Sequence, residues 1–339
     1  MQNLSLFDFE PSKTTSRARF FAEVEPFLPI DEWVQIIRPI YYPDAHLGGR
    51  PPKPLEVVFR TYLVQNFFTL SDEACEDAVY DSFAVRRFVG ITVNEDDIPD
   101  KSTICRFRNL LIEHDIQQKI FDHLANSLTQ AGLIMKKGTM VDSTIIECSS
   151  SKRNRDKARD ADASWTKKAG NFKHGYKMHN MHRQEGRTHE VRLCEAKCWG
   201  VDRDSGLITS NKTTTAKVHD VTVGNDLLHG DEEEVLGDSG YLNIHNHRNA
   251  LAEHKYSILR RPSTITKLPE HLQLAAIELQ SAISKIRAKV EHAYNPIKRI
   301  FGFRRTLYKG LKKNAAKNNM VCTLANIWLI SRPSRLRTT

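Results

Sequence analysis

The chain has 339 residues, of which 40% are apolar, so it is long enough for more than one domain and apolar enough to bury a core. Its longest apolar-rich run, Met320 to Ile330, is too short to cross a bilayer, and Asp8 and Glu10 stand where a secretory leader would be basic, so the expectation is a cytoplasmic protein without a membrane partner. Six scattered cysteines argue against a disulfide framework, and a formal charge of +9 points to an acidic polymer as partner.

Residues 1–52 read as an arm closed by the basic, turn-rich hinge Gly48-Gly49-Arg50-Pro51-Pro52. Helical spacing begins at Leu55 and continues through Tyr62, Leu63 and Val64, and Ser71 is placed to cap a helix from Asp72. Asp100 precedes an amphipathic stretch through Ile104, Phe107 and Leu111, and a further helix is predicted over Ile116 to Gln130. Together these make residues 53–132 an all-helical domain.

The period then changes. Thr139 to Ile146 is β-rich, and Cys198 to Asp202 and Leu207 to Thr215 flank Arg203-Asp204-Ser205-Gly206, the composition of a hairpin turn. Val218 to His229 reads as loop and short helix, Glu234 to Gly237 and Tyr256 to Leu259 as strands, and Pro269 to Asn295 as the strongest helical signal in the chain. That order predicts a mixed α/β domain over residues 133–332 with a tail at 333–339.

Charge is concentrated. Between Lys285 and Asn319 eleven Lys or Arg accompany one acidic residue, Glu291, and a second basic cluster holds Lys152, Arg153, Arg155, Lys157 and Arg159. A solvated face explains the charge by itself; the single Glu among so many bases does not fit that picture.

Three carboxylates are unusual. Asp142 interrupts the apolar β-rich run of Val141, Ile145 and Ile146, where burial without a partner is costly, although an edge position facing solvent also satisfies the pattern. Asp238 closes a short apolar strand ahead of Ser239-Gly240, a place where α/β proteins bind ligands and where ordinary turn Asp residues also occur. On a helix, Arg287, Glu291, Tyr294 and Lys298 fall within about 60° of one another beside the apolar face of Ile286, Val290, Ala293 and Ile297. That stripe is either a surface ion ladder or a cation-binding carboxylate flanked by bases that hold phosphates. Three hard oxygen ligands suit Mg²⁺, with Mn²⁺ as a substitute. Two such ions about 4 Å apart activate a water or a 3′-hydroxyl and stabilise the leaving oxygen.

These motifs together resemble the DDE transposases of bacterial insertion sequences, and within them the insertion-sequence-five family. Arg287, Glu291 and Lys298 match its Arg, Glu, Lys signature, followed by Arg299-Ile300-Phe301-Gly302-Phe303-Arg304 and Tyr308-Lys309-Gly310-Leu311. Val141-Asp142-Ser143-Thr144 and Gly237-Asp238-Ser239-Gly240-Tyr241 look like its first and second Asp motifs. Gly49-Arg50-Pro51, Leu70-Ser71-Asp72-Glu73 and Pro99-Asp100-Lys101-Ser102-Thr103 through Arg106-Phe107-Arg108 resemble its helical domain. The resemblance implies a ribonuclease H-like mixed-sheet catalytic domain behind an all-helical N-terminal domain. It implies Asp142, Asp238 and Glu291 as catalytic ligands of two Mg²⁺ ions. It further implies contacts to double-stranded DNA from Arg287, Lys298, Arg299, Arg304, Arg305, Lys309, Lys312 and Lys313. The activity implied is cleavage at terminal inverted repeats and transfer of the 3′ ends to target DNA, by a homodimer or larger assembly at the nucleoid. A non-catalytic repressor derived from a transposase and a same-fold nuclease without strand transfer are the competing readings.

The chain departs from the family in three places. Ser284 stands where Tyr is usual, Pro296 falls between Glu291 and Lys298 and removes a helical hydrogen bond to residue 292, and an extra polar segment near 183–197 separates Gly175-Tyr176-Lys177-Met178-His179 from Cys198. That segment carries Cys194 and Cys198 with His174, His179, His182 and His189 nearby, the residue types of a zinc site, but no second paired motif follows, and free thiols with surface histidines explain the same residues. His219-Asp220 either starts the following helix as a cap or supports the metal ligands from behind.

Overall fold

The computed structural model describes residues 13–42, 51–91, 98–134, 138–148, 159–168, 171–180, 199–202, 205–228, 230, 232–247, 250 and 255–332. Helices fill the first part in chain order: α1 (Ser16–Val24), α2 (Ile30–Tyr41), α3 (Leu55–Phe67), α4 (Asp72–Asp81), α5 (Phe83–Val89), α6 (Lys101–Glu113) and α7 (Ile116–Gln130). Their starts follow from capping chemistry. Thr15, Ser71 and Asp100 accept from the backbone N–H groups of Ala18, Ala74 and Thr103. Gly90, at φ +83, ends α5 in the left-handed region.

The segment expected to be an arm corrects the sequence reading, because it contains α1 and α2. Phe21 and Val24 of α1 and Trp33, Val34 and Ile37 of α2 are buried. Their three- and four-residue spacings are those of one helix face, turned toward α5 in α1 and toward α3 in α2.

The second part contains β1 (Gly138–Asp142), β2 (Thr144–Glu147), β3 (Ser164–Lys168), β4 (Asn171–Asn180), β5 (Trp199–Asp202), β6 (Ile208–Thr215), α8 (Val221–Gly224), β7 (Glu234–Gly237), β8 (Lys255–Ile258), α9 (Pro262–Ile265), α10 (Glu270–Asn295), a π-turn over Pro296–Ile300 and α11 (Leu311–Ile330). All strands belong to one sheet. β1 runs parallel to β7, and β7 to β8, while the other pairings are antiparallel.

Register shows that several short strands are parts of longer ones. β1 and β2 are separated only by Ser143 and pair in turn with β5 and β4 along one edge. β4 and β5 likewise pair with β6, and Asn180 and Trp199 both stand opposite Asn211. The chain therefore leaves a strand at Asn180 and rejoins it on the same rung at Trp199. The extra segment that set this sequence apart, residues 183–197, lies outside the described residues; the described chain on either side, Asn180 and Trp199, meets at one rung.

Helical and α/β parts share one hydrophobic core, which runs from Phe21 to Leu329. Its centre is α11, packed against α7 and α3 on one side and β6 on the other. Asn326 of α11 accepts from Ile208 N and donates to Ile208 O, both at 2.8 Å. The apolar run Met320 to Ile330 is thus core, and no helix among the described residues is long and apolar enough to cross a membrane.

Candidate active site

Asp142 and Asp238 occupy equivalent positions on neighbouring parallel strands. The ladder pairs Met140 with Leu236 and Val141 with Gly237, so the residue after the last rung is a carboxylate on both sides: Asp142 closes β1 and Asp238 is the first residue beyond β7. Neighbouring strands lie ~4.8 Å apart, which brings the two side chains within reach of a common cation. Both are half-buried. Gly240 N donates to Asp238 Oδ1 at 2.8 Å and orients that carboxylate.

Asp220 joins them from α8. No side-chain capping bond is made by Asp220, and its Oδ2 would stand 3.5 Å from a Cβ built on Gly240, which in turn would stand 2.9 Å from Asp238 Oδ1. Of the two roles open in the sequence, the side-chain cap is not made.

Helix α10, which contains position 291, packs on both β1 and β7. The side chains of Arg287 and Glu291 lie outside the described residues. Among the described residues no three His, Cys, Asp or Glu side chains gather to hold a metal. Cys194, Cys198, His182 and His189 also lie outside them, and His174 is buried with its ring 5.1 Å from that of Trp165.

Pro296 does not break the path to Lys298. The helix widens there into the π-turn, a turn that tolerates the missing proline N–H, and Phe301 N closes onto Pro296 O at 2.8 Å. Lys298 Nζ donates to Thr144 Oγ1, two residues beyond Asp142, and lies 5.6 Å from the centre of the Tyr294 ring. Beyond the end of β7 the same edge of β2 is taken up by the chain at Arg304 to Thr306: Glu147 N donates to Arg304 O at 3.2 Å and Thr306 N to Glu147 O at 2.9 Å. Arg305 approaches Glu147 at 4.0 Å, and Lys173 bonds it at 2.5 Å. Lys173 above all, then Arg305 and Lys298, hold the Glu147 carboxyl below its ordinary range. Lys298, Arg304 and Arg305 therefore line the edge that continues from the carboxylates, with exposed Arg299 beside them.

Lys309, Lys312 and Lys313 are exposed at the start of α11. That start is fixed by two carboxylates absent from the sequence expectations. Gly310 N donates to Asp160 Oδ2 at 3.1 Å, and Leu311 N to Asp162 Oδ2 at 2.9 Å. Asp160 also accepts from the Tyr176 hydroxyl at 2.7 Å. Burial, and then Asp160, push the Tyr176 phenol far up, which keeps it a donor. Only the paired Asp residues just after a basic cluster hinted at this anchor.

The N-terminal motifs have structural partners as well. Arg108 forks onto both carboxylate oxygens of Asp72, Gln65 donates to Asp72 Oδ1 at 2.6 Å, and the Arg108 guanidinium lies 4.5 Å from the centre of the Tyr308 ring. Pro51 and Pro52 face Asp100, Thr103 and Arg106 across a cavity of about 760 Å³.

Comparison with known families gives two matches. A model described as Transposase domain (DUF772) matches residues 6–110, and one described as Transposase DDE domain matches residues 135–327, more than half of the chain. No solved structure matches the chain at a significant level.

Proposed function

Because the chain belongs to the transposase DDE domain family, we propose that it is an insertion-sequence transposase of the insertion-sequence-five group. In this reading it binds the terminal inverted repeats of its element, cleaves the DNA there and transfers the 3′ ends to target DNA. The observation that carries the reading is the parallel register of β1 and β7, whose last rung, Val141 with Gly237, directly precedes Asp142 and Asp238, with α10 packed on both strands and Lys298 bonded to Thr144. The order β6, β5, β1, β7, β8, three antiparallel strands extended by two parallel ones, supports a ribonuclease H-like fold.

The donor set fits the expected cations. Asp142 and Asp238, with Glu291 from α10, offer only hard carboxylate oxygens, the preference of Mg²⁺ and Mn²⁺. Two such ions, when bound, supply Lewis-acid stabilisation and lower the pKa of a bound water. The chain's own residues do the positioning. Lys298, Arg304 and Arg305 hold the phosphates of a strand laid along the β2 edge. Thr144 keeps Lys298 turned toward that edge, and Gly240 N fixes the Asp238 carboxylate. Pairing two ends requires at least a dimer on DNA.

The test is cleavage of a duplex carrying the element ends in Mg²⁺ or Mn²⁺. Asp142→Ala, Asp238→Ala and Glu291→Ala are each expected to abolish cleavage and leave DNA binding in place. Cleavage that survives in any one of them overturns the assignment, and cleavage without joining to target DNA identifies a nuclease instead.

A further inference from the structure

The hairpin of β3 and β4 projects past the main sheet and displays two large aromatic side chains. Trp165 is 48% exposed and Phe172 71% exposed. Trp165 stands opposite His174, and alternation along β4 puts Phe172, His174 and Tyr176 on one face. Tyr176 pairs with Ile146, two residues along β2 from Thr144, the residue that holds Lys298, so the aromatic pair shares a face with the Lys298 anchor.

A cation lies against one ring of this pair, and others are tied to the same stretch of chain. The Arg159 guanidinium lies 5.7 Å from the centre of the Trp165 ring. The Asp160 and Asp162 anchor ties the same stretch of chain to the start of α11, where Lys309, Lys312 and Lys313 are exposed. Inside the sheet, by contrast, the same face is closed: His174 and Tyr176 are buried. Two exposed rings on a cationic surface match the chemistry of unpaired nucleotides, whose bases stack on aromatic faces while the backbone meets the bases Lys and Arg. A rigid duplex offers its phosphates but keeps its base faces stacked.

We propose that the Trp165 and Phe172 face of the β3–β4 hairpin is a stacking platform for unpaired nucleotides of the DNA being processed. Phe172 lies six residues along β4 from Met178, which at ~3.3 Å per residue is about 20 Å from the Thr144 rung. That is less than one turn of B-DNA, about 34 Å. A strand opened near the cleaved phosphate therefore reaches the platform from the same molecule. The proposal rests on the transposase reading for its substrate, but its readout does not depend on cleavage.

The experiment compares binding of a fluorescent oligo-dT single strand and a blunt mixed-sequence duplex of equal length to the full chain without divalent metal. Trp165→Ala and Phe172→Ala are each expected to weaken single-strand binding by about fivefold to a hundredfold, with duplex binding little changed. Trp165→Phe and Phe172→Tyr, which keep a ring, restore it, and thermal melting checks that each variant is folded. Unchanged single-strand binding in folded Ala variants overturns the platform, as does an equal loss for single strand and duplex. If instead Asp142→Ala leaves cleavage intact while these stacking losses occur, the transposase reading fails and the platform stands.

Discussion

Gly237 precedes Asp238 on β7 and is pressed on three sides. A Cβ built on it would stand 2.8 Å from Ile258 Cδ1, 3.1 Å from Val141 Cγ2 and 3.2 Å from Tyr241 Cβ. Val141 precedes Asp142, so added bulk at Gly237 pushes directly on the pair of strands that spaces the carboxylates. Gly237→Ala is expected to cost about 1–3 kcal/mol by overpacking and to lower the cleavage rate more than DNA affinity. Thermal melting and single-turnover cleavage, run side by side, measure both, and an unchanged rate would contradict the argument. At this scale the sequence was informative where chemistry conflicts with local preference: Asp142 in an apolar strand and a lone Glu in a basic segment. It was silent on Asp160 and Asp162, whose partners Gly310 and Leu311 lie far away along the chain, and it left the role of Asp220 open between two readings.

Between elements, the Asp72 and Arg108 pair joins α4 to α6 and passes the contact on to Tyr308 ahead of α11. Burial pushes the Asp72 carboxyl up, but the bonds from Arg108 and Gln65 outweigh it and leave it below the ordinary range. A carboxyl depressed in the folded state stabilises above its unfolded pKa, about 3.9, and that contribution fades as pH falls through the lower folded value. Asp72→Ala leaves Arg108, only 8% exposed at its side chain, without its counter-charge. The expected loss is about 3 kcal/mol in urea unfolding at neutral pH, and its acid limb should flatten. Most of these elements were legible because caps and periodicity are local signals: Ser71, Asp100 and the spacing of Ile116 to Gln130 each act within a few residues. The β3–β4 hairpin was not. Ser164–Lys168 and Asn171–Asn180 are mostly polar, and their pairing is fixed by β6 and β2, which no window of that stretch contains. α1 and α2 were missed for a different reason: the hinge at Gly48 to Pro52 drew the boundary, although the core extends across it.

For the molecule as a whole, α11 is the member that both parts share, and it carries a buried lysine. Lys317 is 3% exposed, donates to Asn66 Oδ1 of α3 at 2.9 Å and lies 5.6 Å from the centre of the Phe303 ring. Burial, reinforced by Arg108, brings its pKa down to about 7. The folded state therefore sheds this proton in a range where the unfolded state, with a pKa near 10.4, keeps it. Stability should rise with pH between about 7 and 10, by up to about 1.4 kcal/mol per pH unit, and be insensitive to this group below that window. Lys317→Met should remove the slope; denaturant melts at pH 7, 8 and 9 would show it, and an identical slope in the variant would refute the assignment. The shared rung at Asn211 has a consequence of another kind. Trp199, where the interrupted strand resumes, pairs with Asp142 itself. Descendants of this chain can lengthen, shorten or replace what lies between Asn180 and Trp199 without altering the ladder that spaces Asp142 from Asp238. Whatever they graft there leaves the sheet beside the first carboxylate. Substrate reach can thus diversify while the chemistry is inherited intact.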